Sequence, residues 1–187
     1  MRRKYLTIVV CLLLFSIQTT YAQYSYYQTK SGKVPLFFKM IIGDINATTH
    51  KASSNINLTT GEVQVKIPIA SFEFRNPFVA TQFKSTYMEM EKYPETIFKG
   101  KFDRKINLKT KSPQRVQVHG TLNMHGVTKR RTLFAIVNVT ENGKAMKVTS
   151  VFSVTASEHK INVPKSAFQN GNDRIEITLN AEYEAVR

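Results

Sequence analysis

At the centre of the chain stands the run Val116-Gln117-Val118-His119-Gly120-Thr121-Leu122-Asn123-Met124, in which apolar and polar residues alternate. Successive side chains of a β-strand point to opposite faces, so this pattern predicts a strand with one dry face and one wet face. His125-Gly126 follows at once and is typical of a turn. The stretch therefore predicts a half-buried strand that ends in a tight reversal of the chain.

The same alternation recurs on both sides of this run. Its apolar positions are Val63, Val65, Ile67 and Ile69, then Leu133, Ala135, Val137 and Val139, then Met146, Val148, Phe152 and Val154, and finally Ile175, Ile177, Leu179, Ala181 and Tyr183. Nearer the N-terminus, Leu36, Phe38, Met40 and Ile42 alternate less cleanly. Turn signals separate the runs, and Asn142-Gly143 is typical of a two-residue hairpin loop. We expect roughly eight to ten strands, mostly antiparallel.

One segment has helical rather than strand spacing. Val79, Phe83, Tyr87 and Met90 recur every three or four residues, and Pro94 ends the run. We expect a helix from about Thr81 to Lys92 whose apolar stripe packs against one end of the β-structure.

The composition is that of a globular protein. The chain has 187 residues, of which 42% are hydrophobic, and its 12 Phe and 8 Tyr exclude a disordered protein. A single cysteine excludes a small disulfide-stapled scaffold. An all-β domain of this size buries its dry faces by stacking two sheets or by closing a barrel. Alternation does not distinguish a filled barrel core from a lined cavity, so both stay open here.

The N-terminal segment is typical of a secretory signal peptide. Three basic residues at positions 2–4 precede an apolar run over residues 6–17, and Ala22 stands at the expected cleavage site. The run is shorter than the roughly 20 residues that a membrane-spanning helix needs. We expect residues 1–22 to be removed and residues 23–187 to form one exported domain, periplasmic or secreted. That domain would contain no cysteine, because Cys11 lies in the signal.

Basic residues are concentrated in one part of the chain. The formal net charge is +14, and residues 99–131 hold ten basic residues against one acid, Asp103. Such an excess favours anionic partners, among them a membrane surface. No nucleic acid is expected, because Phe98 and Phe102 belong to a dry face and are not exposed for stacking on bases. Export argues against nucleic acid as well.

The sequence contains no motif for catalysis. The mature domain has no thiol, and neither a Gly-x-Ser-x-Gly elbow nor a phosphate-binding loop occurs. Four histidines are interpreted as isolated surface or turn residues rather than metal ligands: His50, His119, His125 and His159. Carboxylates near the end of the predicted helix are interpreted as a solvated face rather than a glycosidase pair. No metal is expected.

Three stretches resemble signature motifs of the YceI-like family. The first runs from Phe83 to Gly100 and places Tyr93-Pro94 between a short helix and a strand that holds a Phe. The second, Val118-His119-Gly120-Thr121-Leu122-Asn123-Met124-His125-Gly126-Val127-Thr128-Lys129, is similar to the Gly-x-Leu-x-x-His-Gly-x-Thr-Lys hairpin. The third runs from Phe152 to Pro164 and is similar to Phe-x-Val-x-x-x-Asp-x-x-Ile-x-Ile-Pro. Together, and in the family's order, the three are specific.

The resemblance implies an all-β, lipocalin-like antiparallel barrel of about eight strands with a short helix covering one end. It implies an exported protein that holds a polyisoprenoid or similar long apolar chain inside the barrel and catalyses no reaction. No cofactor is expected apart from a bound isoprenoid lipid. The residues expected to line the cavity are Phe38, Met40, Phe98, Phe102, Val118, Leu122, Val137 and Phe152. The candidates for contact with a lipid headgroup are Lys129, Arg130 and Arg131.

The expected partners are a lipid or isoprenoid ligand and, through the basic stretch, an anionic membrane surface. The sequence leaves the oligomeric state open, with a homodimer among the alternatives. A second interpretation of function also stays open. It is an exported β-domain with a filled core that acts through its basic surface on anionic lipid or polysaccharide.

Overall fold

The computed structural model describes residues 25–41, 44–140, 143–168 and 171–186. The predicted signal peptide at residues 1–22 lies outside the described residues, as do Ile42 and Asn142 of the patterns above. The strands of the described part are β1 Tyr26–Phe38, β2 Ile45–Asn57, β3 Glu62–Pro68, β4 Glu73–Phe74, β5 Glu95–Phe102, β6 Gln114–Met124, β7 Val127–Val139, β8 Ala145–Thr155 and β9 Arg174–Val186. Its helical segments are α1 Pro77–Thr81, the π-helical continuation Gln82–Tyr87, and single 3₁₀ turns at Ile69–Ser71, Ser157–His159 and Lys165–Ala167.

Eight of these strands close into a barrel. Their order is β1-β9-β8-β7-β6-β5-β3-β2, and β2 pairs with β1 again, so the sheet closes on itself. All neighbouring pairs are antiparallel, and the two-residue strand β4 attaches to β2 alone. The architecture is a closed antiparallel eight-stranded barrel with one short helix, which confirms the predicted fold class.

The alternating runs place their apolar residues inside the barrel. Val118, Leu122 and Val137 are buried, whereas their neighbours Lys99 and His119 on the wet faces are exposed. A slip of one residue would exchange the two faces, so burial of one face determines the strand register. The interior is consequently built from the dry faces that the sequence predicts.

The helix lies earlier in the chain than the predicted range from Thr81 to Lys92. It begins at Pro77, where Asn76 caps it by accepting a hydrogen bond from the N–H two residues on, and where proline suits the first helical position. It ends at Tyr87, and Glu89 then adopts a φ of 42°, which turns the chain away from the helix. The prediction placed both ends too late, because it followed the apolar spacing and neglected the cap.

Two glycines face one another across β5 and β6. Gly100 pairs with Gly120, and a Cβ added at Gly120 would lie 2.2 Å from the Lys99 carbonyl oxygen. A Cβ added at Gly100 would lie 2.9 Å from the Phe98 ring. The barrel wall therefore requires residues without side chains here, and the Phe98 ring occupies the space that they leave.

Candidate ligand cavity and the end of the barrel beside it

An apolar cavity lies inside the barrel. The volume of the cavity is about 60 Å³. Its walls come from seven of the eight barrel strands and consist of Ile56, Val63, Val65, Ile67, Thr96, Phe98, Phe102, Val118, Leu122, Leu133, Ala135, Val148, Ser150, Phe152, Ile177, Leu179 and Tyr183. An interior with so few polar groups favours a ligand that offers apolar surface.

A second, smaller cavity of about 30 Å³ adjoins the first. Its walls include Phe83 of the helical segment, Met88 after it, and Phe72 before it. The two cavities have four wall residues in common: Ile67, Thr96, Phe152 and Ile177. They are therefore consecutive chambers of one apolar interior, and the helical segment closes the smaller chamber.

Five of the eight residues predicted to line the cavity are at the walls of the larger chamber: Phe98, Phe102, Val118, Leu122 and Phe152. Val137 is fully buried but belongs to neither chamber. Phe38 and Met40 are buried elsewhere, where the Phe38 ring packs 5.5 Å from the ring of Phe168. The structure thus brings five of these residues to one cavity and leaves three outside it, while contact with a ligand stays a prediction for all eight.

Three polar side chains interrupt the apolar walls. The Tyr183 hydroxyl donates a 2.8 Å hydrogen bond to Ser54, and burial raises the pKa of Tyr183 to about 12. Ser150 donates to the Phe134 carbonyl at 2.8 Å. The hydroxyl of Thr96, where the chambers meet, has no hydrogen-bond partner within the described residues. None of the three presents a charge to the interior at neutral pH, which suits an uncharged ligand chain.

The wall of the larger chamber is incomplete between β7 and β8. Their ladder runs from Ala135 opposite Ser150 to Val139 opposite Met146. However, β7 begins at Val127 and β8 continues to Thr155, so about half of each strand extends beyond the ladder. Leu133 and Phe152, both half-buried, line the chamber on the two sides of this gap.

The predicted headgroup residues lie on the half of β7 that pairs with β6 but not with β8. Lys129 and Arg130 are exposed, and neither has an ion-pair partner in the described part of the chain. Arg131 is half-buried and forms an ion pair with Glu158, which follows β8. Burial tends to raise the pKa of Glu158, but hydrogen bonds from Arg131 and the Thr155 N–H, together with the Arg131 charge, hold this pKa below its usual value. Two of the three candidates are thus open to an anionic group, while the third is engaged.

The turn between β6 and β7 anchors this end of the barrel. His125 and Gly126 both have positive φ, at 51° and 72°, as a tight hairpin turn requires. The His125 ring packs 4.6 Å from the ring of Tyr93, and its Nε2 atom lies 2.7 Å from the Glu89 carboxylate. The first two motifs of the resemblance therefore meet at this turn.

The third motif reaches the same place through His159. This side chain is completely buried, and its Nδ1 atom lies 3.3 Å from the Met124 carbonyl and 3.2 Å from the Val127 carbonyl. Since carbonyl oxygens only accept hydrogen bonds, Nδ1 carries the proton. Burial lowers the pKa of His159 and outweighs the opposing effects of Glu158 and the two carbonyls. The neutral ring thus ties the segment after β8 to the β6–β7 turn.

Sequence reasoning missed three residues of this region. Glu158 was available from the third motif, since it occupies the position of that motif's acid. His125 and His159 were interpreted as isolated, yet the His125 ring lies 3.2 Å from the His159 carbonyl. No local pattern links positions 34 residues apart, so only the folded chain reveals the contact.

The described residues contain no group of three or more His, Cys, Asp or Glu side chains placed to hold a metal ion. Among these residues, no helix has both the length and the apolar character to cross a membrane.

Comparison with known proteins gives the same architecture. One solved structure is a polyisoprenoid-binding domain from Saccharophagus degradans implicated in plant cell wall breakdown, with a TM-score of 0.72 at 14% identity, covering 88% of this chain and all of that one. BcnA of Burkholderia cenocepacia has a TM-score of 0.63 at 18% identity, covering 81% and 95%. The YceI protein of Campylobacter jejuni has a TM-score of 0.61 at 18% identity, covering 80% and 90%. A comparison with curated proteins found no match. The model of the YceI-like domain matches residues 22–183, and the chain therefore belongs to the YceI-like family.

Proposed function

We propose that this protein is an exported lipid carrier that holds a polyisoprenoid or similar long apolar chain inside its barrel and catalyses no reaction. The observation that supports this most directly is the pair of consecutive apolar chambers. A ligand chain that extends from one chamber to the other passes between Phe152 and Thr96. On this proposal the protein acts in the periplasm or outside the cell after removal of residues 1–22.

The physical basis of binding is removal of apolar surface from water. Each Å² of apolar surface buried contributes about 25 cal/mol, and a long hydrocarbon chain offers little else. The chambers are smaller than such a chain. Entry of the ligand therefore requires wall side chains to move, and half-buried wall residues such as Leu133 and Phe152 are less restricted than the fully buried ones.

Similarity to a solved relative supports the ligand class. The Saccharophagus degradans domain is described as polyisoprenoid-binding and has the same fold over 88% of this chain. Lys129 and Arg130 are proposed to meet an anionic headgroup, since both are exposed beside the gap in the wall. The polar groups inside the barrel hold neither a charge nor a nucleophile paired with a base, which supports binding rather than catalysis.

The small size of the chambers is also compatible with an alternative function. An interior that accepts no ligand would be a filled core, and the basic surface would then carry the function by binding anionic lipid or polysaccharide. The two proposals differ in what an enlarged side chain at a chamber wall would do.

Substituting one cavity-lining alanine separates the two. Ala135 lines the larger chamber, whereas Ala52 is equally buried but belongs to neither chamber. Ala135→Leu should reduce binding of dansyl-labelled farnesol at least tenfold with little loss of stability. Ala52→Leu should instead cost about 1–3 kcal/mol of stability and leave the affinity of the folded protein unchanged.

Native mass spectrometry of protein purified without detergent should also show a retained apolar ligand. Absence of both a retained lipid and farnesol binding, with Ala135→Leu as destabilising as Ala52→Leu, would establish the filled core instead.

A further inference from the structure

The gap between β7 and β8 differs from the other short ladder of the barrel. β2 and β3 also pair over only part of their lengths, from Ser53 to Asn57 on β2. There the opening is covered, because β4 pairs with β2 and the Thr49 hydroxyl bonds to Ser71 at 2.7 Å. Beyond the β7–β8 ladder, no described strand pairs with the facing edges, and the turn Ser157–His159 contacts them only at their far end, near Val127 and Arg131.

The gap has a defined beginning and end. At one end the Ser150 hydroxyl bonds to the Phe134 carbonyl and completes the ladder. At the other end the guanidinium of Arg131 on β7 reaches the Glu158 carboxylate beyond β8. Between these two contacts the larger chamber reaches the barrel surface through the half-buried side chains of Leu133 and Phe152.

The Arg131–Glu158 pair is suited to opening and closing. About a quarter of each side chain is exposed, and partly solvated ion pairs of this kind hold two groups together only weakly. The Nε atom of Arg131 is buried without a hydrogen-bond partner in the described residues. One donor of Arg131 therefore stays without a hydrogen bond when the pair is formed.

The outer surface around the gap combines exposed apolar side chains with positive charge. Phe134, Ile136 and Val151 are 47%, 45% and 66% exposed, and the Arg115 guanidinium lies 4.9 Å from the Phe134 ring. Arg115, Arg130 and Lys147 are on the outer faces of β6, β7 and β8, and these strands contain no acidic residue. Lys129 and Arg131 are on the other side of β7, opposite Leu122 and Gly120. By contrast, β9 alone contains Glu176, Glu182 and Glu184. Apolar side chains surrounded by cations are complementary to a bilayer with anionic headgroups.

From these contacts we propose that the ligand enters and leaves through the gap between β7 and β8, while the outer face of β6, β7 and β8 rests on an anionic bilayer. The Arg131–Glu158 pair closes the gap when the protein leaves the membrane. A ligand that passes sideways from bilayer to chamber keeps its apolar chain away from water throughout. This inference rests on the proposed carrier function.

Bridging the gap tests the route. In a Cys11→Ser background, a short bis-maleimide would join Thr132→Cys to Ser153→Cys across the gap. Thr132 is two residues from Phe134 on the outer face of β7, and Ser153 is two residues from Val151 on the outer face of β8. The matched control joins Thr149→Cys to Asn180→Cys across the complete β8–β9 ladder, where the native side chains are 3.2 Å apart. Each protein is loaded with dansyl-labelled farnesol before bridging.

We expect bridging of the gap to slow transfer of the probe to phosphatidylglycerol-containing vesicles at least tenfold. Bridging of the control pair should leave the rate unchanged. Transfer at the unbridged rate across a bridged gap would overturn the proposed route while leaving the carrier function intact. Failure of the unbridged protein to take up the probe would overturn the carrier function, and the route with it.

The docking surface has its own control. Phe134→Ser should reduce co-sedimentation with phosphatidylglycerol vesicles several-fold, whereas Phe78→Ser, at an even more exposed phenylalanine on α1, should not. Binding should weaken as salt screens the attraction. Equal sedimentation of the two variants would overturn membrane docking. A concentration-dependent dimer that Phe134→Ser abolishes, without vesicle binding, would assign the face to a second copy of the chain instead.

Discussion

At the scale of single residues, His159 is the clearest case of a side chain that holds elements together. A completely buried imidazole has to stay neutral, because water no longer stabilises its charge. Its folded-state pKa therefore lies below the ordinary value of 6.5. The unfolded chain binds a proton more readily than the folded protein, so the free energy of unfolding decreases as the pH falls below this value.

The resulting pH dependence can be measured. Urea unfolding should show lower stability at about pH 5 than at about pH 8, and His159→Asn should flatten this difference because Asn keeps a donor for the two carbonyls but does not titrate. The lowered pKa of Glu158 acts only below its ordinary value of 4.5, outside this interval. His50→Asn, at an exposed histidine, serves as the control. An unchanged profile in His159→Asn would show that this ring does not produce the dependence.

A second prediction at this scale concerns the stability of a variant at Gly120. Gly120→Ala places a Cβ against backbone atoms of β5, which cannot move aside as a flexible side chain would. We expect a loss of about 1–3 kcal/mol or more in unfolding free energy, measured by chemical denaturation. Gly171→Ala is the comparison, because nothing lies within 4 Å of its added Cβ and only the backbone cost at its φ of 69° remains. A smaller loss in Gly120→Ala than in Gly171→Ala would contradict the close approach of the strands.

At the scale of elements, the helical segment illustrates how packing and capping compete as signals. The apolar stripe around Phe83 is real, since that ring is buried 5.8 Å from Phe72 and 5.1 Å from Phe74. The start of the helix, however, follows the Asn76-Pro77 cap. Met90 is partly buried but lies beyond the end of the helix, so its helical spacing from Phe83 was not evidence that the helix extends to it.

Truncating phenylalanines at two positions of this segment should separate docking from helix formation. Phe83→Ala should destabilise the protein by about 3–5 kcal/mol, because it removes a buried ring. Phe78→Ala should change stability by less than about 0.5 kcal/mol, since that side chain is 70% exposed. Thermal melts of both variants against the parent provide the measurement. Similar melts for the two would show that the segment does not pack on the barrel.

At the scale of the whole molecule, charge is distributed unevenly over the barrel. The basic residues collect on β5 to β7 and the loop that joins β5 to β6, while β9 carries three of the acids. This asymmetry is useful to a protein that approaches an anionic surface from one side. On the proposed function, that surface lies outside the cytoplasm and the chain reaches it by export.

Processing of the N-terminus is the corresponding prediction. The mature protein recovered from its native host should begin at Gln23 or within two residues of it, as determined by N-terminal sequencing of the exported fraction. Replacing the positive charges at positions 2–4 should retain the precursor in the cytoplasm. Recovery of the intact N-terminus in a membrane fraction would contradict cleavage.

Much of the barrel, and part of the site, could be predicted from neighbours along the chain. Local patterns predict the strand from Val116 to Met124 and the turn at His125-Gly126, because pleat and turn geometry depend on adjacent residues. For the same reason five predicted residues line the larger chamber. Phe38 and Met40 share the pattern but pack elsewhere, since alternation tells inside from outside and not where along the barrel a side chain lies.

Other features depend on how the barrel closes. The separation of β7 from β8 beyond Ala135, the pairing of Arg131 with Glu158 and the meeting of His125 with His159 each join residues far apart in sequence. Such contacts arise only when all eight strands find their register together, because each ladder restricts the next around the ring. The amino-acid pattern therefore specifies the dry faces and the positive charge, and closure of the barrel places the opening beside them.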